Sequence, residues 1–482
     1  MSKAKLFIEN ILVYGLGGII SKLVPLLMLP IVTRLMPGTE YFGLSDMSHT
    51  ALQFASAVAV IGMYDAMYRM FFEKEDENYK KGICSTTFVF TIATSIVVCS
   101  LMLFFKDSIA KIFFKDVKYS FLVYITALTT LVSATNSIVS APTRMQNKRK
   151  VFLVTNAASP ILSYSVSIPL ILKGYYVIAL PLAALLAGIS MEIVFWILNR
   201  NWFNVRRFNA KYLPSLLKIA IPLFPNFLIY WIFNSSDKLM ITSILNVGEA
   251  GIYSVGSKLG HASQLIYTAF AGGWQYFAFS TMKDKNQVES NSKIFEYLGV
   301  ISYVATAFVC AISYSFFRIA FADQYLVGYV IAPYLFLAPL LQMLFQVAAN
   351  QFLVVKKTWP NMFILMSGAI VNILLNLTLI PIMGIEGASI ATLIGYALSD
   401  IICVIVLWKM KLMVVSGKYI IATFVMILFF CLWRLIILQS LLVGLLAATI
   451  LTIIIIGLYR NEIMMIINRI RQKKLNSGGN RL

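Results

Sequence analysis

At 482 residues, 60% of them apolar and only 12% charged, and with a mean hydropathy of +0.82, the chain carries more apolar surface than a water-soluble fold can hide. Forty Lys and Arg against twenty Asp and Glu would suggest nucleic acid in a soluble chain, but between long apolar runs the excess reads as loop charge, and no nucleic-acid partner is implied. The five cysteines (Cys84, Cys99, Cys310, Cys403 and Cys431) are odd in number and unclustered, which excludes a disulfide framework or a cysteine metal site and leaves buried thiols.

The chain opens with Met-Ser-Lys-Ala-Lys and an apolar run too long for a signal peptide, so a retained first helix is predicted. A bilayer core needs about 20 apolar residues per helix, and about fourteen such segments can be drawn. They lie at roughly 7–33, 42–68, 83–105, 119–141, 151–172, 176–198, 214–244, 250–280, 294–317, 328–352, 359–381, 386–408, 418–438 and 440–459. The runs are continuous and lack the alternation of barrel strands, so the predicted fold class is an all-α integral membrane protein.

Basic residues fall mainly in the even-numbered breaks, among them Lys80 and Lys81, Arg144 with Lys148 to Lys150, Arg206 and Arg207, Lys356 and Lys357, and Lys409 and Lys411. The odd breaks hold little beyond Arg34, Lys173, Arg318 and the Lys106 to Lys118 group. This asymmetry predicts a multi-pass protein of the cytoplasmic (inner) membrane with both termini cytoplasmic.

A shift of 209 aligns Thr33 with Thr242, Glu40 with Glu249 and Ser45 with Ser254; a shift of 208 aligns Lys148 and Arg149 with Lys356 and Lys357, and Glu192 with Asp400. An offset spanning an even number of segments implies two halves of the same topology, related by an axis along the membrane normal. The predicted organisation is an N-terminal lobe (1–205, segments one to six), a C-terminal lobe (206–412, segments seven to twelve), two appended helices (413–460) and a cytoplasmic tail (461–482). The first segment of each lobe carries prolines, Pro25 and Pro30 in one and Pro214, Pro222 and Pro225 in the other, which makes both breakable.

Ionisable groups at membrane depth are costly unless they face a wet cavity or a partner. Lys22 in segment one, His49 in segment two, Asp237 and Lys238 in segment seven, and Lys258 and His261 in segment eight predict a cavity lined by those four segments. Positive charge predominates there, which implies an anionic headgroup as ligand. Each group also has a bland reading: a lysine can snorkel and a lone histidine can be hydrogen-bonded in a bundle core. Arg434 is expected to snorkel, and Glu192 and Asp400 to tie helices together or sit near the inner surface. Asn372 and Asn376 share one face of segment eleven; with Thr392 and Asp237 they would suit a small monovalent cation, although asparagines also glue helices.

Three stretches carry a family resemblance: PIVTRLMPGTEYFGLSDM (Pro30 to Met47), NSSDKLMITSILNVGEAGIYSVGSKLG (Asn234 to Gly260) and GIEGASIATLIG (Gly384 to Gly395). The chain resembles, over essentially its whole length, the Wzx-type oligosaccharide flippases of the multidrug/oligosaccharidyl-lipid/polysaccharide exporter superfamily. The resemblance implies two lobes in alternating access, and translocation of an undecaprenyl-diphosphate-linked oligosaccharide for cell-surface polysaccharide such as O-antigen. Membrane lipids and a polysaccharide polymerase machinery are the implied partners, a monomer the implied working unit. Lys22, Arg34, His49, Lys258 and His261 become candidates for the headgroup. Asp237, Asn372, Asn376 and Thr392 match in placement the sodium site of relatives that move the peptidoglycan precursor. Asn376 stands where a second carboxylate is expected, so sodium, proton or no coupling remains open. No other cofactor and no catalytic residue is implied. A cation-coupled drug exporter of the same superfamily is the first alternative, a polytopic polymerase the second. The polymerase lacks the large outer loop it needs, and no phosphate-binding loop for ATP occurs.

Overall fold

The computed structural model describes residues 3–465 except 268–269, 271–273, 275–277, 279–280, 282–283, 356 and 358, and leaves aside the side chains of 3–18 and 226. Two of the basic residues of the even breaks, Lys283 and Lys356, and the tail from 466 onward therefore lie outside the described residues. The described chain is helical with no strand. Its first half runs α1 (Lys3–Leu35), α2 (Thr39–Val60), α3 (Met63–Phe71), α4 (Glu77–Phe104), α5 (Lys106–Phe113), α6 (Ser120–Met145), α7 (Arg149–Leu172) and α8 (Tyr176–Asn199). The second half runs α9 (Leu213–Trp231), α10 (Asp237–Ile244), α11 (Val247–Gly260), α12 (Gln287–Ala320), α13 (Ala332–Val354), α14 (Trp359–Met383) and α15 (Ile385–Lys409), followed by α16 (Gly417–Leu432) and α17 (Leu441–Leu458).

These helices form because the runs are apolar around most of their circumference and begin at polar caps. The Asp76 carboxylate accepts from the backbone N–H groups of Asn78 and Tyr79 at the start of α4, and Asn246 accepts from that of Glu249 at the start of α11. Among the described residues eleven helices are long and apolar enough to cross a membrane, or twelve if the bent pair α2–α3 counts as one span. The other two expected segments are α1, and α11 with the partly described residues after it. Side chains such as Leu435, 81% exposed, and Leu442, 70% exposed, face outward on the appended pair, as lipid contact requires. By contrast α13 is buried over most of its surface and forms the centre of the second half.

Corresponding helices recur at offsets of 208 to 212 residues: Lys3 to Leu213, Thr39 to Val247, Glu77 to Gln287, Ser120 to Ala332, Arg149 to Trp359 and Tyr176 to Ile385. The halves meet where α2 crosses α11, and that contact is reciprocal. A Cβ on Gly43 would strike the carbonyl oxygen of Val247, and one on Gly251 would strike that of Thr39. A shift of 208 maps Thr39 onto Val247 and Gly43 onto Gly251, so each collision is the image of the other. Such an exchange is the mark of a two-fold axis through the crossing.

Two segments are interrupted. Ile61 (φ 48°) and Gly62 (φ 72°) turn the chain by 47° between α2 and α3, and a Cβ on Gly62 would lie 2.7 Å from the Ala220 carbonyl oxygen of α9. Between α9 and α10, residues Ile232–Ser236 form a wider π turn, which delivers Asp237 at its end.

The appended helices are fixed to the second half at both ends. Glu296 of α12 accepts from the Ser416 backbone N–H (2.6 Å), the Ser416 hydroxyl (2.7 Å) and the Tyr459 hydroxyl (3.3 Å). At the far end Arg434 makes a two-pronged bond to Glu386 of α15, at 2.6 and 2.9 Å. Arg434 therefore does not snorkel. A carboxylate placed within its reach by the neighbouring helix satisfies it more fully than a climb to the interface could. Asp400 ties nothing together: both its oxygens are buried without a partner among the described residues. Cys431 is exposed, unlike the other four thiols, because its helix face turns away from the bundle.

Candidate functional site

A cavity of about 890 Å³ is lined mainly by the first half and completed by the stretch from Lys258 to Leu265 of the second. Its charged lining residues are Lys22, Asp46, Arg144 and Lys258, three cations to one anion, with His49 and His261 beside them. Lys22 of α1 donates from Nζ to the side-chain oxygen of Gln264 at 3.3 Å. Lys258 of α11 sits with Nζ 4.4 Å from the centre of the Phe42 ring, a cation–π contact. Four of the five residues proposed for the headgroup, Lys22, His49, Lys258 and His261, thus share one cavity. Arg34 is not brought to it; its guanidinium donates to the Ile319 carbonyl of α12. Segment seven does not line the cavity either, contrary to expectation. The walls are α1, α2, α6, α7, α8 and the stretch from Lys258 to Leu265, because α9 and α10 are screened from the hollow by α2 and α11.

Asp46, which sequence reasoning missed, is the pivot of the cationic wall. Its carboxylate on α2 is buried and pairs with Lys238 Nζ at 2.7 Å and Lys258 Nζ at 3.8 Å, and accepts from the Ser254 hydroxyl at 2.6 Å. All three partners belong to the second half, so the cluster bridges the crossing. Asp46 and Ser254 also map onto each other under the shift of 208. The signal was present in the sequence, since GLSDMS (43–48) and GIYSVG (251–256) stand at that offset.

The second constellation lies behind this wall. Asp237 is buried and accepts four hydrogen bonds: from the Tyr253 hydroxyl (2.7 Å), the Asn376 amide (2.7 Å), the Asn372 amide (3.4 Å) and the Thr392 hydroxyl. All four residues grouped by spacing come together here, and Tyr253 joins them. No cation among the described residues pairs with Asp237; its neighbour Lys238 is committed to Asp46. The Asn376 side-chain oxygen is buried with no partner among the described residues. Neutral dipoles therefore carry the whole burden of holding a carboxylate at depth. Turning the two amides over would present their oxygens beside the carboxylate, the ligand set that suits a small hard cation. The two constellations are adjacent: Asp237 bonds Tyr253, and the next residue along each helix of that pairing, Lys238 and Ser254, holds Asp46.

Residues 31–330 match the family described as polysaccharide biosynthesis protein. The chain belongs to that family. Among solved structures, this family member is similar to the lipid II flippase MurJ in an inward closed conformation, with a TM-score of 0.72 at 16% identity, over 93% of this chain and 98% of that one. An inward-facing multidrug resistance MATE transporter of the MOP superfamily gives 0.67 at 13% identity, over 81% and 94%. An outward-facing MATE structure gives 0.58 at 13% identity, over 84% and 95%. A comparison with curated proteins finds no match. The polysaccharide biosynthesis protein thus has the fold of MOP-superfamily flippases and transporters.

Proposed function

We propose that the chain is a flippase that carries undecaprenyl-diphosphate-linked oligosaccharide units from the cytoplasmic to the outer leaflet of the inner membrane, for cell-surface polysaccharide, by alternating access of two lobes. The observation that carries this reading is the cavity with Lys22 and Lys258 on one wall and the glycine crossing of α2 and α11 at one end. A sugar diphosphate cannot cross hydrocarbon bare, and lysine donors in a hydrated hollow replace its water and counterions while the lipid tail stays in the bilayer. The cavity extends from Phe42 and Asp46 to Arg144, at the end of α6 where the predicted cytoplasmic basic cluster begins. On this topology the closed end faces outward and the cavity serves the inner leaflet. The higher TM-score against the inward-facing than against the outward-facing MATE structure supports that reading.

Asp237, Asn372, Asn376 and Thr392 are proposed to take up the coupling cation, which is cargo here and not a resident cofactor. Its arrival at Asp237 would pull on α10, shift Lys238 and loosen the bridge through Asp46. A drug exporter fits less well, because cationic apolar drugs are repelled by three cations set against one carboxylate. The protein works on membrane lipids, as a monomer, beside a polymerase machinery that consumes its product.

The test is Lys22→Ala in cells that depend on this chain. Surface polysaccharide should fall to background with the protein still inserted, and the lipid-linked intermediate should accumulate on the inner leaflet. Wild-type polymer in that variant removes Lys22 from the mechanism; a deletion strain with normal polymer and no trapped intermediate ends the flippase reading.

A further inference from the structure

The wall of the cavity away from the lysines is polar, and it is uncharged as far as Arg144 at its inner end. On α6, Thr126, Thr129, Ser133, Asn136, Ser140 and Thr143 follow at spacings of three and four residues, and all line the cavity. That spacing puts them on one helical face for about five turns. Thr155, Asn156 and Ser159 continue the surface on α7. Each hydroxyl alone is cheap in a membrane helix, but a continuous polar face with an asparagine at its centre, turned to a hollow, favours a polar ligand laid against it.

The direction of its hydrogen bonds says what that something is. The hydroxyls of Thr126 and Thr129 donate to the carbonyl oxygens of Leu122 (2.8 Å) and Ile125 (2.6 Å), Ser140 to that of Ser137 (3.3 Å), and Thr155 to that of Val151 (2.8 Å). A carbonyl can only accept, so each hydroxyl proton is spent within its own helix and the oxygen keeps only lone pairs. Asn156 likewise spends an amide N–H on the Phe152 carbonyl at 2.8 Å. The Asn136 side-chain oxygen is a buried acceptor with no partner among the described residues.

We infer that the α6–α7 wall is a sugar subsite, a surface rich in hydrogen-bond acceptors that receives the hydroxyl groups of neutral sugars while the lysine wall holds the diphosphate. The inference rests on the flippase reading and deepens it. The spent hydroxyls of Thr126, Thr129, Ser140 and Thr155 give an ionised diphosphate nothing, since it too has only acceptors, whereas a sugar ring brings them several O–H donors. The substrate is thereby oriented, with its phosphates toward α1 and α11 and its glycan across α6 and α7. The cavity volume of about 890 Å³ lies toward the upper end of the roughly 300–1,000 Å³ typical of small-molecule sites.

The experiment compares two probes on the full-length protein in lipid nanodiscs: undecaprenyl diphosphate, and the same lipid bearing one N-acetylglucosamine. The wild type should bind the glycosylated lipid more tightly. The double variant Ser140→Ala/Asn156→Leu should lose roughly tenfold in affinity for the glycosylated lipid and nothing for the bare one. Lys22→Ala should weaken both equally. Retained binding of the bare lipid shows that the double variant is folded. Equal wild-type affinities, or a double variant that weakens both lipids alike or neither, overturn the sugar subsite and leave the flippase reading standing. Failure of the wild type to bind either lipid overturns both.

Discussion

Asp46 and Asp237 are both carboxylates buried at membrane depth and held by α11, yet they are neutralised in opposite ways. Asp46 has two lysines and a serine, so its charge is cancelled on the spot and the cluster works as a bridge between the halves. Asp237 has two asparagines, a threonine and a tyrosine, which spread its charge without cancelling it. A paired charge makes a joint; an unpaired one held by dipoles is, on the proposed reading, a receptor for a cation. Whether a buried acid builds or binds is decided by what surrounds it, not by the acid itself.

The sharpest way to break this contrast is Asp237→Asn, which keeps the shape and most hydrogen bonds and deletes the charge. Transport, read as surface polymer, should fall to background, while the melting temperature of the purified protein stays within a few degrees of wild type. A functional Asp237→Asn protein would reduce Asp237 to a helix tie. Asp46→Ala should act the other way round. It strands Lys238 and Lys258 near the crossing and should cost about 3–5 kcal/mol of stability, visible as a lower melting temperature and reduced yield. Adding Lys238→Met should recover part of that loss; no recovery would mean that the pair does not hold the halves together. Gly43→Ala drives a methyl group into the Val247 carbonyl and should cost about 1–3 kcal/mol. Because the clash lies at the crossing, cysteine accessibility at the closed end should rise with it. The smallest effect is expected from Arg434→Ala. That guanidinium is partly exposed, but Glu386 is buried and would keep, among the described residues, only the Tyr334 hydroxyl, so the loss should cost about 1–2 kcal/mol and leave transport intact.

Much of this could be read from the residues before any coordinates, and the misses have a common cause. Long apolar runs, polar breaks and the near-constant offset are signals averaged over many positions, so the helices and their recurrence were legible. Asp237, Asn372, Asn376 and Thr392 were legible because acids and asparagines inside apolar runs are rare. Asp46 escaped notice beside the start of its predicted segment, where an acid looks like a loop residue; it is the crossing with α11 that places it at depth. The polar stripe on α6 was missed because serine and threonine are cheap in membrane helices, where they bond back to their own backbone. Only the cavity shows that five of them, with Asn136, line one face of it. Arg34 was drawn to the headgroup by its charge alone, and nothing in the sequence could say that α12 would lie within its reach.

The π turn at Ile232–Ser236 gives the seventh segment one residue more than a regular spiral of that height would need. Each residue of an ordinary helix advances the azimuth by about 100°, so the surplus works as a fixed gear between the two portions of the rod. Removing a single residue from 232–236 would let the spiral close into regular form and swing Asp237 by about that angle, away from Tyr253 and the two amides. On the proposed coupling, the same gear, relaxed and rewound without any deletion, would convert the arrival of a lone ion into rotation.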